Sequence, residues 1–267
     1  PEQTAIAAFL DDKTAKIDRA IAQKEKMIAL LKERKQIIIQ NAVTKGLDPN
    51  AKMKHSGVEW IGEIPEGWEV KRLKVIVKSR TGFAFPSDRF VNEGIPLVRI
   101  GDLDSSGVVI LDSCAKLPYD YSKYLMLYGL KENDLLFAMT GGTIGKIAVY
   151  KGCANALLNQ RVCSFTINDT ITRSIVLFWM STKYWKDYID LNSIGGAQPN
   201  ISDKVVLNIR IALSKNKAEQ CFIISHIETQ SAKIDKAIKL QEQQIEKLKE
   251  LKSTLIDSAV TGKIKVS

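Results

Sequence analysis

Two segments of the chain share one long pattern of apolar and polar positions. Residues 15–44 and 232–261 align without a gap at a constant offset of 217 residues, and 16 of the 30 aligned positions are identical. In both segments seam positions recur at alternating intervals of four and three, which places them along one narrow face of a helix, and they are apolar except at Lys24, Lys35, Gln241 and Lys252. This seam contains Ile17, Ile21, Ile28, Leu31 and Ile38 in the first segment and Ile234, Ile238, Ile245, Leu248 and Leu255 in the second. The pattern predicts a duplicated helix whose two copies pack on each other through the seam.

Glycine marks the ends of both predicted helices. Neither segment contains proline or glycine, and Gly46 and Gly262 follow shortly after them, as at many helix ends. Asn216, with Glu219 three residues later, has the spacing of a capping box at the start of the second helix. Each helix is then roughly 40 residues or ~60 Å long. Because both helices belong to one chain and flank its middle, we expect an antiparallel coiled-coil hairpin.

The middle of the chain has a different pattern, with short apolar runs separated by glycine, aspartate and asparagine. Strands are predicted at 68–72, 96–100, 108–111, 134–140, 146–150, 161–167 and 208–213, and one helix at 172–191. Trp60 and Trp68 are expected to anchor the preceding loop to this domain. Because the strands do not alternate regularly with helices, the prediction is a mixed, strand-rich α+β domain. The predicted organisation is helix 1 at 1–48, this domain with its linker at 49–215, and helix 2 at 216–267.

Composition narrows the class of protein. With 45% hydrophobic and 26% charged residues, the chain is not a disordered or fibrous protein. Its apolar runs are too short to span a bilayer, and it lacks a secretory pattern, so we expect a cytoplasmic protein with no membrane partner. The four cysteines form no CxxC pair and only two histidines accompany them, so neither a metal site nor a disulfide framework is expected.

The charge favours a polyanionic partner, and the motifs do not favour an enzyme. Lys and Arg number 39 against 30 Asp and Glu, for a net charge of +9 that is spread along the chain. The sequence TGGTIGK at 140–146 lacks the spacing of a phosphate-binding P-loop and fits a tight turn between strands. No hydrolase motif and no dinucleotide-binding loop is present, so we expect no catalytic residues and no cofactor.

Several stretches together resemble the specificity subunit of type I restriction–modification systems. They are EQTAIAAFLD at 2–11, AKID in both helices, SGVEWIGEIPEGWEVKRL at 56–73, NDLLFAMTGGTIGK at 133–146, LNQRV at 158–162 and GGAQPNIS at 195–202. The resemblance covers nearly the whole chain. It implies a target recognition domain between two conserved helices that act as a ruler. It also implies a non-catalytic subunit that reads one half of a bipartite double-stranded DNA target, docks methyltransferase subunits through its helices and joins restriction or motor subunits through the complex.

Within this interpretation, DNA contacts are expected from basic and polar side chains in the recognition domain, several of them in or beside turns. The candidates are Lys71, Arg80, Arg89, Arg99, Thr143, Lys146, Lys151, Gln160, Arg161, Gln198 and Asn200. The family pattern has two recognition domains and this sequence contains one, so we expect a second domain or a second copy of the chain, as a homodimer, to complete the site. Two alternatives remain, a homodimeric coiled-coil scaffold without a DNA role and an enzyme-like module that uses the glycine-rich loop.

Overall fold

The chain forms two compact units. The computed structural model describes residues 2–104, 107–109, 111–152, 155–196 and 198–264, with only the backbone of Glu2. The helical unit lies within Pro1–Ile38 and Ser225–Ser267, and the mixed unit is Ile39–Ile224. Cys153 and one residue of the strand predicted at 108–111 lie outside the described residues.

The α-helices and the strands of the described residues are each numbered in chain order. The helices are α1 Glu2–Lys45, α2 Leu125–Tyr128, α3 Thr170–Met180, α4 Lys183–Asn192, α5 Asp203–Val206 and α6 Lys217–Val260. The strands are β1 Met53–His55, β2 Glu63–Pro65, β3 Trp68–Arg72, β4 Lys78–Thr81, β5 Ile95–Val98, β6 Ala115–Leu117, β7 Leu135–Ala138, β8 Ile147–Val149, β9 Leu157–Leu158, β10 Val162–Thr166 and β11 Arg210–Ser214. No helix in the described part of the chain is both long and apolar enough to cross a membrane.

The helical unit is an antiparallel pair formed by α1 and α6, each 44 residues long. Lys35 contacts Asp235 and Lys252 contacts Asp18, both at 2.7 Å, so an early position of one helix lies beside a late position of the other. The predicted seam residues are buried or half-buried, and most of the residues between them are exposed. The mixed α+β fold with two long flanking helices is as predicted.

The start of α6 differs from the predicted capping box. The Asn216 side chain accepts a hydrogen bond from the backbone N–H of Ala218 at 2.9 Å. Glu219, however, accepts from Trp68 Nε1 at 2.9 Å and from Ser214 Oγ at 2.5 Å, and not from the backbone of Asn216. Trp68 and Ser214 are directly paired in the β3–β11 ladder. The carboxylate is therefore used to join the helix to this two-stranded sheet.

A four-stranded antiparallel sheet forms the centre of the mixed unit, in the order β4-β10-β7-β8. All four residues of β7 are buried, since both faces of the sheet are covered. On one face Phe137 packs edge-on against Trp185 of α4, with ring centroids 5.9 Å apart. On the other face Leu136 and Val162 join an apolar cluster. Smaller sheets, β6-β5-β9, β11-β3 and β1-β2, surround this core.

The helix predicted at 172–191 is two helices, α3 and α4. They are separated at Ser181 and Thr182, where the Thr182 hydroxyl accepts a hydrogen bond from the N–H of Trp185 and starts α4. A threonine side chain that satisfies a free N–H favours a new helix start over continuation. Trp179, at the end of α3, donates from Nε1 to the carbonyl of Ala212 at 2.9 Å and so attaches the helix pair to β11.

Six of the seven predicted strands coincide with strands among the described residues. The segment 68–72 is β3, those at 134–140, 146–150 and 161–167 contain β7, β8 and β10, and those at 96–100 and 208–213 overlap β5 and β11. The run at 108–111 makes only isolated bridges, Val108 with Val149 and Val109 with Leu103. The loop anchor is as expected, because the Trp60 ring lies 5.6 Å from that of Tyr184 and Trp68 is buried.

Candidate nucleic-acid interface

Three loops of the mixed unit meet beyond one end of β7 and β10, the two central strands of the four-stranded sheet. Since β10 runs antiparallel to β7, the residue before β10 lies beside the residue after β7, and Met139 N–H donates to the carbonyl of Arg161 at 3.0 Å. The loop at 194–200 joins them through a hydrogen bond from Gly141 N–H to Pro199 O at 2.8 Å. These backbone bonds fix the loops to the most deeply buried strands of the domain.

The loop at 194–200 is itself a narrow hairpin. Ile194 and Asn200 exchange two backbone hydrogen bonds of 2.8 Å, and Asn200 also bridges to Thr140. Gly195, next to the Ile194–Asn200 pair, has φ +109°, a conformation that L side chains rarely adopt. The hairpin holds Gln198 near the ends of β7 and β10, and the Gln198 side chain is exposed.

The three loops enclose a cleft of about 520 Å³, called the polar cleft below. Its wall is made of Thr81, Gly82, Met139, Thr140, Gln160, Arg161, Gln198, Asn200, Ile201, Ser202 and Asp203. Four of the predicted contact residues, Gln160, Arg161, Gln198 and Asn200, are thus brought together, and all four are exposed. An arginine fork, three amides and a carboxylate supply the donors and acceptors that base edges in the major groove pair with.

One polar atom in the cleft wall has no partner. Thr140 Oγ1 is buried without a hydrogen bond to any described residue. A buried hydroxyl left unpaired is unfavourable, and a polar ligand in the cleft would relieve that cost. Thr140 and Asp203 were not among the predicted contacts, because nothing in their local sequence marks them. Only the hairpin and the β7 turn bring them into this wall.

The other predicted contacts lie outside the polar cleft. Thr143 and Lys146 occupy the turn between β7 and β8, which adjoins the cleft through Thr140. Lys151 and Arg89 are exposed, and Arg89 lies 4.0 Å from its neighbour Asp88. These four residues stay predictions as DNA contacts.

Three further candidates already have partners within the chain. Arg80 donates to the carbonyl of Gly129. Arg99 lies 3.6 Å from Asp102 and its guanidinium is over the Phe90 ring at 5.7 Å. Lys71 pairs with Glu69 at 2.5 Å and lines a separate cleft. A DNA contact by any of them would have to compete with these interactions.

The buried thiol of Cys163, in the central sheet, is not a nucleophile. Burial raises the pKa of the Cys163 thiol to about 12, so the thiol is protonated at neutral pH. Cys163 lies within β10, whose residues from Val162 to Phe165 are all fully buried. The residue therefore belongs to the packed core.

Comparison with known proteins places this arrangement in a family. Residues 65–250 match the type I restriction modification DNA specificity domain. The chain belongs to this family. This chain is 31% identical over 277 residues to the type I restriction enzyme MjaVIII specificity subunit of Methanocaldococcus jannaschii. The alignment covers 99% of this chain and 60% of that protein. The predicted resemblance to the type I specificity subunit is confirmed by these matches.

Two solved structures have the same fold as this chain. A structure described as showing complex assembly and conformational transition of the type I R-M system aligns with a TM-score of 0.73 at 16% identity, over 97% of this chain and 58% of that one. The crystal structure of the HsdS subunit from Thermoanaerobacter tengcongensis aligns with a TM-score of 0.61, also at 16% identity, over 98% and 59%. The chain therefore spans about 60% of the length of the proteins it matches.

Proposed function

We propose that the mixed unit reads one half of a bipartite DNA target through the polar cleft. The observation that carries this proposal is the convergence of Gln160, Arg161, Gln198 and Asn200, from two loops separated in sequence, in one exposed cleft. Arginine pairs with guanine and the amides pair with adenine, while Asp203 can accept from the amino group of cytosine. A set of fixed loops on a rigid sheet is a suitable support for such reading because it holds the side chains in place.

Binding to DNA is tested with the purified chain and a labelled duplex across a salt series. The net charge of +9 predicts affinity that falls steeply as salt rises, because phosphate contacts release counterions. A mobility shift at low salt that weakens with salt supports the proposal. No shift for any duplex at low salt would contradict it and favour the coiled-coil scaffold without a DNA role.

We propose further that the helical unit docks methyltransferase subunits. Large apolar side chains are exposed on both helices, with Leu30 at 51% and Leu251 at 54%. Exposed apolar residues in a coiled coil that already has its seam favour a protein partner. Leu30→Lys and Leu251→Lys should reduce co-elution with the methyltransferase subunit without lowering the melting temperature. Restriction or motor subunits would then join through that complex.

The internal repeat supports a second domain of the same kind, which here would come from a second copy of the chain. At the end of the first repeat copy Ile39 and Val43 are buried in the mixed unit, with 4% and 1% exposure. Their equivalents 217 residues later, Ile256 and Val260, have exposures of 36% and 68%. A second mixed unit would cover them as the first covers Ile39 and Val43.

The helix starts upstream of the two repeat copies, where Gln3 and Ile6 recur as Gln220 and Ile223 at the same offset of 217, differ in the same way. Gln220 and Ile223 are buried in the mixed unit, and Gln220 donates to the carbonyl of Ser214 at 2.6 Å. Their equivalents Gln3 and Ile6 are exposed and half-buried. The repeat thus contains a second copy of these attachment residues, and in that copy Gln3, Ile256 and Val260 are exposed and Ile6 is half-buried. A homodimer is the arrangement we propose for the chain without other subunits.

A further inference from the structure

Two arginines face each other across the β3–β11 sheet. Arg72 and Arg210 are directly paired in the register of this two-stranded antiparallel ladder. Directly opposed residues project from the same face of a sheet, and like charges at such positions destabilise the pairing. Both side chains are exposed. The sheet therefore keeps an unfavourable pair at the last position of its ladder.

Neither arginine is neutralised within the described part of the chain, where no acidic side chain lies within ion-pair distance of either. The residue before Arg72 is neutralised, in contrast. Lys71 projects to the other face of β3 and pairs with Glu69 at 2.5 Å. Arg72 and Arg210 instead line a cleft of about 330 Å³ together with Ser56, Gly57 and Val70. This wall contains two guanidinium groups and no carboxylate.

We propose that Arg72 and Arg210 together bind one backbone phosphate of the DNA, outside the polar cleft. Guanidinium groups pair with phosphate oxygens through two parallel N–H donors, and two of them can share one phosphodiester. A phosphate between the two guanidinium groups forms an ion pair with each of them and offsets their mutual repulsion. A phosphate contact fixes the register of the protein on the duplex but carries no sequence information. The inference rests on the proposed function and adds a positioning site to it.

The chain length keeps this site within reach of DNA in the polar cleft. Only ten residues separate Asn200, in the wall of the polar cleft, from Arg210. At ~3.5 Å per residue the two lie at most about 35 Å apart. One turn of DNA is ~34 Å long, so a duplex whose bases are read at Asn200 has phosphates within that distance.

The test measures DNA affinity of the full chain across a salt series, using one labelled duplex of about 30 base pairs. Arg72→Gln and Arg210→Gln combined should lower the slope of log affinity against log salt by about 0.9, the value for one lost phosphate contact. Each single variant should lower it by less, because the remaining arginine still neutralises the same phosphate. Arg34→Gln, an exposed arginine of α1, is the matched control for loss of one charge and should leave the slope unchanged.

Stability separates this site from a structural ion pair. Because glutamine removes the repulsion, each variant should keep or raise the melting temperature. A lowered melting temperature would overturn the inference, as would a double variant whose slope and affinity equal those of the wild type while Arg161→Ala still weakens binding. That second outcome leaves the proposed function standing. A wild-type chain that binds no duplex at low salt would overturn both.

Discussion

Lys24 donates a hydrogen bond to Gln241 at 3.3 Å, and these two residues occupy the same position of the internal repeat. A position that contacts its own repeat equivalent lies on a two-fold axis between the helices. The pairs on either side agree, because Lys35 with Asp235 and Asp18 with Lys252 are one interaction made twice. The duplicated sequence therefore forms an internally symmetric coiled coil.

Symmetry predicts that equivalent seam substitutions have equal effects. Ile28→Asp and Ile245→Asp, 217 residues apart, should each destabilise the hairpin by about 2–4 kcal/mol, because each places an unpaired charge in the apolar seam. Circular dichroism melts measure the change. Met27→Asp is the control, since Met27 adjoins Ile28 in sequence but is 48% exposed, and it should cost less than about 1 kcal/mol. Unchanged melting for both seam variants would refute the hairpin.

The turn residue Lys146 and the cleft residue Arg161 should contribute to affinity in different ways. Lys146→Ala is expected to weaken binding to specific and random duplexes alike, by about 1 kcal/mol where a phosphate contact is lost, whereas Arg161→Ala should weaken binding to the specific duplex more than to random duplexes because a base contact is lost. Lys247→Ala on α6 provides a control with the same loss of charge. If Lys146→Ala and Arg161→Ala both bind like the wild type at low salt, DNA does not approach this end of β7 and β10.

Acid should selectively weaken the Asp169–Lys217 contact. The hydrogen bond from Lys217, with that from Thr172, lowers the pKa of Asp169 from 3.8 to about 2. A carboxylate with a depressed folded-state pKa stabilises the fold above its unfolded pKa and loses that contribution as pH falls through its folded value. Because the side chain is half exposed, the contribution is only about 0.5 kcal/mol.

Asp169→Asn isolates this charge, since asparagine can still cap α3 as Asp169 does at Thr172 N–H. Urea unfolding should show the variant less stable than the wild type at pH 6, with the difference disappearing between about pH 4 and pH 2. Asp120→Asn, an exposed position without an ion pair among the described residues, should show no such window. A difference that is constant down to pH 2 would refute the assignment.

The proposed homodimer predicts self-association through the exposed residues at the end of the repeat. Light scattering should show a dimer of the isolated chain at micromolar concentration, and Val260→Asp should shift it toward monomer because Val260 is 68% exposed in the single chain. Leu191→Asp, at an 86% exposed apolar position elsewhere, is the control. A strictly monomeric chain that supports methylation of a symmetric bipartite site would contradict the homodimer.

The helices could be predicted from the sequence because their information is local. A seam such as Ile17, Ile21 and Ile28 repeats within the reach of one helix, and it does not depend on distant residues. The division between α3 and α4 was missed because Thr182 caps a helix only once Trp185 has turned inward to pack on Phe137. Propensity alone favours one continuous helix there.

Some residues of the candidate site could also be identified from the sequence, because their signal is local. Polar residues near turns, such as Arg161 and Gln198, are visible in the sequence, but their proximity depends on the hydrogen bond between Gly141 and Pro199. Asp203 and the opposed Arg72 and Arg210 could not be found without the strand register, because residues far apart in sequence create these groupings.

Methylation mapping in cells tests the central claim, that the polar cleft reads bases. The chain is expressed with its cognate methyltransferase subunit, and the methylated sequences are compared for the wild type, Gln198→Ala and Asn200→Ala, with Arg34→Gln as control. We expect each cleft variant to support methylation still but to relax the choice of base at one position of the motif, because one base contact is lost. A motif that is identical in the wild type and in both cleft variants, at undiminished methylation, would contradict it.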